Sequence, residues 1–290
     1  MKKVLLVGAG YSARAFAAMA KPLGVDVAGT TRSEEKFDRL RAAGIRPIAF
    51  DGRTMSDELK RALDEATDLV ISASPDDDGD PLIAAAGDLL RRGMPALEWI
   101  GYLSTIGVYG NHDGAWVTEE SECRPRAGRL DFRLSAERQW QDLASARKTP
   151  LAILRLSGIY GPGRNALVNL ANGTARRIIK PGQIFNRIHV ADIAGALMHL
   201  APGRTAGVFN VTDDEPSPPQ DVIEFAANLM NVPPPPALDF ATADLSPMAR
   251  SFYGENKRVS NAKLKAAGYG FAHPNYRSAF AAMWADGSWR

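Results

Sequence analysis

The feature that most constrains the fold is a glycine-rich turn placed directly after a short apolar segment at the start of the chain. Residues 4–7 are apolar without polar alternation, which is typical of a strand buried on both faces. Beyond the turn, small and aromatic residues recur at helical spacing. The turn has the pattern G-x-G-x-x-A and consists of Gly8, Ala9, Gly10, Tyr11, Ser12 and Ala13. This order of strand, turn and helix predicts a unit that binds a dinucleotide through its pyrophosphate.

Each residue of this turn has its own expected role. Gly8 permits the tight turn, Gly10 lets the backbone approach the pyrophosphate, and Ala13 lets the helix pack closely on the strand. Tyr11 and Ser12 open the helix, where exposed amides and the helix dipole favour phosphate groups. The alternative is an ordinary tight turn of an α/β protein that binds no nucleotide.

Composition narrows the class of protein. The 290 residues include 35 basic and 33 acidic side chains, a formal net charge of +2, so nothing indicates a nucleic acid or an anionic membrane as partner. The single cysteine, Cys123, excludes an internal disulfide and favours a reducing, cytoplasmic location. No apolar run approaches the ~18 residues of a membrane-spanning helix, and the first residues run into a strand rather than a signal peptide. The histidines lack metal-ligand spacing, so no metal site is predicted.

Apolar segments alternate with helical segments along the first half of the chain. Alternation of this kind predicts an α/β fold, a Rossmann doubly wound parallel sheet with helices on both faces. The predicted strands are residues 4–7, 25–29, 46–50, 69–73, 96–104, 151–156, 186–190 and 208–211. The predicted helices after the first are residues 34–43, 57–66, 82–92, 130–146 and 192–200.

The chain length predicts about two units. After residue 156 the regular alternation ends, and a cluster of turn residues follows. We therefore predict a nucleotide-binding Rossmann domain over residues 1–160, completed by 187–211. Residues 161–186 and 212–290 are predicted to form a smaller substrate-binding lobe.

The end of the second strand predicts the coenzyme. Thr31 and Arg32 lie about twenty residues after the glycine turn, where an NAD-binding unit usually carries an acidic residue. Arg32 suits a 2′-phosphate, which favours NADP over NAD, although NAD remains possible. The alternative is that Arg32 is a solvated surface charge. Asp51, after the third strand, is either a partner of the adenine amine or an ordinary turn residue.

Small residues follow two other predicted strands. Ser72, Ala73 and Ser74 follow the fourth strand, where they leave room for the ribose of a coenzyme. Ser157 and Ile159 follow the sixth strand, near the expected position of the nicotinamide. Both placements rest on the rule that ligands bind at the carboxyl ends of parallel strands.

Five stretches in order along the chain resemble one known family. They are the G-x-G-x-x-A turn and residues 102–110 (YLSTIGVYG), 154–163 (LRLSGIYGPG), 187–194 (RIHVADIA) and 208–211 (VFNV). Together they resemble the extended short-chain dehydrogenase/reductases, the NAD-dependent epimerase/dehydratase group. The resemblance implies a Rossmann domain, a smaller C-terminal substrate lobe and a cleft between them.

The resemblance also implies the catalytic groups, which are a Ser or Thr, a Tyr and a Lys. The family's hydroxyl maps onto Thr105, with Ser104 beside it. The Tyr and Lys positions, counted back from Glu137, map onto Arg129 and Arg133, so both expected residues are replaced. An arginine stays protonated and cannot act as a general acid or base near neutral pH.

This departure resembles the atypical members of the superfamily, which lack the Tyr-x-x-x-Lys pair. Arg133 is expected to hold the ribose or to polarise a carbonyl as a fixed cation. Tyr109 is an alternative proton donor. The resemblance further suggests that His189 and Asp192 brace the junction between the lobes, with a catalytic role for His189 as the alternative.

Two functions of different class follow. The first is an NADP-dependent oxidoreductase or epimerase-like enzyme that acts on a small polar metabolite, a sugar-nucleotide or a carbonyl compound. The second is an NADP-binding sensor or regulatory module without catalysis. The superfamily implies a monomer or a homodimer, the latter formed through the helices predicted at 82–92 and 130–146.

Overall fold

The computed structural model describes residues 2–290, and its main element is a seven-stranded sheet. Three two-stranded sheets accompany it: β8 with β10, β9 with β12, and β6 with β13. In chain order the strands are β1 (Lys3–Val7), β2 (Asp26–Thr31), β3 (Arg46–Ala49), β4 (Asp68–Ile71), β5 (Trp99–Thr105), β6 (Trp116–Val117), β7 (Leu151–Leu156), β8 (Gly158–Tyr160), β9 (Arg177–Ile179), β10 (Arg187–His189), β11 (Gly207–Val211), β12 (Ala237–Asp239) and β13 (Arg258–Val259).

Helices follow most of the strands of the large sheet. Short 3₁₀ turns occur at Lys21–Leu23, Glu34–Lys36 and Ile106–Tyr109. The α-helices are α1 (Tyr11–Ala20), α2 (Phe37–Ala42), α3 (Asp57–Glu65), α4 (Pro81–Arg92), α5 (Arg129–Arg147), α6 (Ala166–Ala171), α7 (Val190–Leu200), α8 (Pro219–Leu229), α9 (Pro247–Phe252), α10 (Ala262–Ala266) and α11 (Tyr276–Asp286).

The large sheet has the strand order β11-β7-β5-β4-β1-β2-β3. Strand β1 pairs in parallel with β2 on one side and with β4 on the other, and the pairs β2–β3 and β4–β5 are also parallel. The chain therefore winds outward in both directions from β1, which confirms the predicted doubly wound α/β fold. Ligands of such sheets bind outside the carboxyl ends of the strands where the winding reverses, here beside β1 and β4.

Buried apolar strands form the core beneath this edge. Residues Val4–Val7 of β1 and residues 69–71 of β4 are buried, as their continuous apolar sequence predicts. On one side of the sheet, leucines of α3 and α4 and the indole of Trp140 on α5 pack against these strands. The apolar face of each helix is what holds it on the sheet.

Several predicted boundaries differ from the structure by one or more residues. The strand expected from residue 96 begins at Trp99, because Pro95 enters a β-turn closed by the Leu97 amide, which donates to the Met94 carbonyl at 3.1 Å. The helix expected over residues 34–43 is a 3₁₀ turn followed by the short α2. Helix α7 begins two residues earlier than expected, at Val190.

The chain divides into two compact units. The first consists of Met1–Val108, Pro125–Arg155 and Ile193–Phe209, and the second of Tyr109–Arg124, Leu156–Asp192 and Asn210–Arg290. The second unit has a core of its own, in which Tyr160, Tyr276 and Phe280 pack together. Among the described residues, no helix combines the length and the apolar character that crossing a membrane would require.

Candidate functional site

The glycine turn is held by the end of β2. The amide of Gly8 donates to Thr30 Oγ1 at 2.9 Å, and the amide of Ala9 donates to the Thr30 carbonyl at 2.7 Å. Gly8 has a φ of +93°, and a Cβ at this position would lie 2.8 Å from the backbone nitrogen of Ala73. A glycine is therefore required both by the backbone conformation and by the close approach of the segment that follows β4.

At position 10, neither the backbone conformation nor a close neighbouring atom requires a glycine. The φ of Gly10 is −88°, and a Cβ there would meet only the Gly8 carbonyl oxygen, at 4.0 Å. The residue is exposed and immediately precedes α1. No side chain caps α1, and its first turn contains no acidic residue that would compete with an anion. The first amides of a helix lack acceptors within the helix, so this turn fits the diphosphate of a dinucleotide.

Basic side chains lie near the end of β2. Thr31 Oγ1 accepts from the Ser33 amide at 3.4 Å, and Arg32 is exposed. Partial burial, together with the positive charge of Arg39, lowers the pKa of Arg14. Sequence reasoning missed Arg14 and Arg39, although Arg14 directly follows the glycine turn and is the signal that could have found them.

Asp51 has the contacts of a turn residue. Its carboxylate accepts from the amides of Arg53 and Thr54 at 2.8 and 2.7 Å and from the Thr54 hydroxyl at 3.1 Å. These hydrogen bonds lower the pKa of the exposed Asp51 carboxyl. These contacts are those of an ordinary turn residue at the end of the third strand, which is the second of the two interpretations given for Asp51.

Arg133 lies at the carboxyl ends of β4 and β5. Its guanidinium donates to the carbonyls of Leu103 at 3.1 Å and Ala73 at 3.4 Å, and to Ser74 Oγ at 3.4 Å. The amides of Ser72 and Ala73 in turn donate to the Val7 carbonyl at 2.8 and 2.9 Å. The predicted small residues after β4 and the predicted cation of α5 are thus in contact.

Tyr102 lies beside this guanidinium. Nη1 of Arg133 is 3.4 Å from the Tyr102 hydroxyl, and the guanidinium carbon lies 5.8 Å from the centre of the ring. Burial raises the pKa of Tyr102, and the charge of Arg133 opposes this shift. The phenol therefore stays protonated and orients Arg133. Sequence reasoning missed Tyr102, although it opens the stretch whose Thr105 was singled out.

Thr105 and Ser104 point to different surroundings. The Thr105 hydroxyl is partly exposed and accepts from the Gly107 amide at 3.1 Å. Ser104 is buried and donates to the Glu137 carboxylate, which also forms a buried ion pair with Arg155 at 2.8 Å. Successive residues of a strand face opposite ways, so only one of the two can face a ligand. This corrects the expectation that Ser104 contacts the substrate.

The contacts of Tyr109 also correct an expectation. This residue is fully buried, and its hydroxyl donates to Asn210 Oδ1 at 2.7 Å. The phenol that was considered as a proton donor therefore braces the interior of the second unit. Ser157 is buried as well and donates to the Val211 carbonyl at 3.3 Å, while Ile159 lies in β8 opposite Ile188.

His189 and Asp192 make the contacts of structural residues. The Asp192 carboxylate accepts from Tyr269 Oη at 2.9 Å and from the amides of Ala272 and His273 at 2.8 and 2.9 Å. Burial and the neighbouring His273 lower the pKa of His189 to about 3, so the ring is neutral. Its Nδ1 accepts from the Ala191 amide, which leaves the proton on Nε2.

Asp213 makes the stability of the second unit dependent on pH. Burial raises its pKa to about 8, because the amide of Glu215 and the charge of Arg187 only partly offset the loss of hydration. The folded chain therefore keeps a proton that the unfolded chain releases near pH 4, and stability falls as pH rises. Relative to Asp213→Asn, the native chain is expected to lose about 2 kcal/mol of unfolding free energy between pH 6.5 and 9, measured by urea titration. Asp244→Asn, at an exposed carboxylate that is not among the causes of this shift, is the control and should keep the native slope.

Comparisons with known proteins agree with this architecture. No model of a known protein family matches the chain. A solved structure described as a functionally unknown conserved protein from Silicibacter pomeroyi DSS is 46% identical over 99% of both chains, with a TM-score of 0.90. This chain belongs to the same family as that protein. Protein YeeZ of Escherichia coli K12 is 27% identical over 222 residues, which cover 73% of this chain and 77% of YeeZ.

More distant structures define the fold class. The human epimerase family protein SDR39U1, solved with NADPH, is 18% identical over 98% of this chain and 99% of its own, with a TM-score of 0.73. A dTDP-glucose 4,6-dehydratase from Bacillus anthracis, solved with NAD, and two epimerases from Bacillus cereus share the fold at 13% to 16% identity, with TM-scores of 0.70 to 0.79. The chain therefore has the fold of the NAD-dependent epimerase/dehydratase proteins, which are extended short-chain dehydrogenase/reductases.

Proposed function

We propose that this protein is an NAD(P)-dependent oxidoreductase or epimerase-like enzyme that prefers NADP. Its substrate is a small polar metabolite, a sugar-nucleotide or a carbonyl compound. The observation that carries the proposal is the open side of Gly10 at the start of α1, within one unit that also holds Arg133 at the same end of the sheet. Fold neighbours solved with NADPH or NAD support a nicotinamide dinucleotide as the coenzyme.

Two groups of residues would hold the diphosphate and the ribose of the coenzyme. The amides at the start of α1 would bind its diphosphate, together with the turn at Gly8 and Gly10. Arg133 would bind the ribose beside Ala73 and Ser74, since its guanidinium already lies against both residues. The coenzyme, when bound, supplies the site that accepts or donates a hydride.

NADP is favoured over NAD by the basic end of β2. Arg32 is exposed, and no carboxylate precedes or follows it directly in the sequence. A guanidinium can bind a 2′-phosphate through two parallel hydrogen bonds. Arg14 and Arg39 add positive charge from the neighbouring helices.

Thr105 and Arg133 are the groups proposed to act on the substrate. The Thr105 hydroxyl would hydrogen-bond a substrate oxygen, and Arg133 would supply a fixed positive charge that stabilises a developing negative charge on such an oxygen. Neither of them transfers a proton near neutral pH. A non-catalytic sensor is the second candidate, and the arginines at positions 129 and 133 favour it because the family's phenol and amine are both replaced.

The coenzyme preference is tested by titration with NADPH and NADH. An Arg32→Ala variant is expected to bind NADPH about tenfold more weakly, because one charge-assisted contact to the 2′-phosphate is lost, and to bind NADH as before. Tryptophan fluorescence or calorimetry gives both constants. Arg91→Ala, at an exposed arginine on α4, is the matched control. Tighter binding of NADH by the native chain would refute the preference.

The role of Arg133 is tested with Arg133→Met. Both coenzymes are expected to bind about tenfold more weakly, because the contact to the ribose is common to them. Arg133→Lys should restore part of the affinity, since it keeps the charge but not the planar group. Oxidation of NADPH is then followed with panels of sugars and aldehydes. Turnover that Thr105→Ala abolishes identifies an enzyme, whereas binding without any turnover identifies the sensor.

A further inference from the structure

One face of the small β8/β10 sheet carries an unusual set of side chains. In its parallel register Arg187 lies opposite Gly158, and His189 lies opposite Tyr160. Because side chains alternate along a strand, these four residues share a face. Helix α11 packs against β10 and brings Tyr276 to the guanidinium of Arg187, whose central carbon lies 5.7 Å from the centre of the ring.

Arg187 is a partly buried cation without a close carboxylate. Its Nη1 donates to the Phe185 carbonyl at 3.1 Å and to Ser217 Oγ at 2.7 Å. Within residues 2–290, no carboxylate oxygen lies within 4.0 Å of this guanidinium, and the nearby Glu215 is paired with Arg277 at 2.9 Å. Burial lowers the pKa of Arg187, as expected for a cation whose hydration is not replaced by an ion pair.

Two phenols near Arg187 have hydroxyls without partners. Tyr160 and Tyr276 are buried, and neither hydroxyl has a hydrogen-bond partner among the described residues. Both rings pack on Phe280, with centre-to-centre distances of 5.6 and 5.9 Å. Buried hydroxyls are nearly always hydrogen-bonded. Two buried hydroxyls without a partner beside the Arg187 guanidinium therefore indicate a ligand.

The fourth position of this face leaves room for that ligand. Gly158 is exposed, and a Cβ on it would meet only the carbonyl oxygen of Asn186, at 3.1 Å. Any larger residue there would place its side chain beside Arg187, because the two positions are paired in the register. The glycine therefore leaves the side of Arg187 uncovered and open to solvent.

We propose that this face of the second unit binds an oxyanion, a phosphate or carboxylate group of a small metabolite. Arg187 supplies the positive charge, and the hydroxyls of Tyr160 and Tyr276 donate hydrogen bonds. The two hydroxyls have no other acceptor among the described residues, and a small oxyanion accepts several donors at once. Asp213, whose pKa is raised to about 8, is mostly uncharged at pH 6.5 and does not repel the anion. The proposal stands independently of coenzyme binding.

The test measures anion binding by the full-length chain at pH 6.5 and constant ionic strength. Inorganic phosphate and acetate are each titrated against a chloride control by calorimetry and by thermal unfolding. At least one of the two is expected to bind and to raise the unfolding temperature. Arg187→Gln should weaken this binding at least about tenfold, and Tyr160→Phe and Tyr276→Phe about five- to tenfold each.

The two phenylalanine variants keep the test decisive if Arg187→Gln fails to fold. They remove hydroxyls that have no partner, so their stability in chloride should equal or exceed that of the native chain. Tyr269→Phe is the matched control, because its hydroxyl is bonded to Asp192, and it should retain native anion affinity.

The pattern of results separates the sources of the anion and the sites. Preference for phosphate indicates a phosphorylated ligand, and preference for acetate a carboxylate. Binding that Arg32→Ala abolishes and the Tyr160 and Tyr276 variants leave unchanged would place the anion at the coenzyme site and overturn the proposal. Absence of binding by both anions would overturn it as well. NADPH titration of the same variants reports on the proposed function separately, and native affinity is expected there.

Discussion

A Gly10→Ala variant is expected to bind NADPH about 10- to 100-fold more weakly than the native chain, while it unfolds at nearly the same urea concentration. The added methyl group would meet only the Gly8 carbonyl oxygen, at 4.0 Å, so the fold tolerates it. It would project from the exposed turn at the start of α1, where the diphosphate must approach the backbone. Each factor of ten corresponds to about 1.4 kcal/mol of lost binding free energy.

Gly8→Ala is the matched comparison. It should lower the stability of the fold, which Gly10→Ala leaves nearly unchanged. A Cβ at Gly8 would lie 2.8 Å from the backbone nitrogen of Ala73, and the φ of +93° is strained for any residue with a side chain. We expect a loss of about 2–4 kcal/mol of unfolding free energy, measured by urea titration. Native coenzyme affinity in Gly10→Ala would show that the turn does not hold a diphosphate.

The largest effect on stability is expected at Glu137. Its carboxylate forms a buried ion pair with Arg155 at 2.8 Å and accepts a hydrogen bond from Ser104. Glu137→Ala removes the carboxylate while the buried guanidinium remains, which should cost about 3–5 kcal/mol of unfolding free energy. Urea titration followed by circular dichroism measures this loss.

Two controls separate burial from charge. Asp57→Ala breaks the exposed pair with Lys60 on α3 and should cost less than about 1 kcal/mol. Replacing both Glu137 and Arg155 by methionine should recover much of the loss, because two apolar side chains leave no buried charge. A cost at Glu137 no larger than that at Asp57 would contradict this account.

Arg133 is held at the end of the sheet by two backbone carbonyls and by Tyr102. A planar guanidinium can contact the carbonyls of Ala73 and Leu103 and the phenol at the same time, since it has five donors in a fixed geometry. A positive charge is thereby held at the carboxyl edge of the sheet. The Tyr102 phenol does not ionise near neutral pH, because burial raises its pKa.

The Rossmann part of the fold could be predicted because its signals are local. Four apolar residues, two glycines and a helical repeat follow one another within the first twenty positions, and the structure has β1, the turn and α1 there. The same holds for the other strands of the sheet, whose continuous apolar sequence reflects burial on both faces. Boundaries shifted where a turn intervened, as at Pro95 before β5.

Side-chain roles were harder to predict than strands. Ser104 and Thr105 carry adjacent hydroxyls in the sequence. Only the packing of α5 against β5 decides that the Ser104 hydroxyl contacts Glu137. Tyr109 became a buried brace because Asn210, about a hundred residues away, accepts its hydrogen bond. No local pattern contains such partners.

The sequence by itself determined a parallel sheet that begins with a nucleotide-type glycine turn, because strand burial, turn geometry and helix periodicity depend on neighbours a few residues apart. It also placed arginines at positions 129 and 133, where the resemblance leads us to expect Tyr and Lys. Only the tertiary structure decided which hydroxyls remain open and which buried charges are paired. Arg187, Tyr160 and Tyr276 meet only when β8, β10 and α11 pack together, since long-range contacts set their solvation and hydrogen bonding.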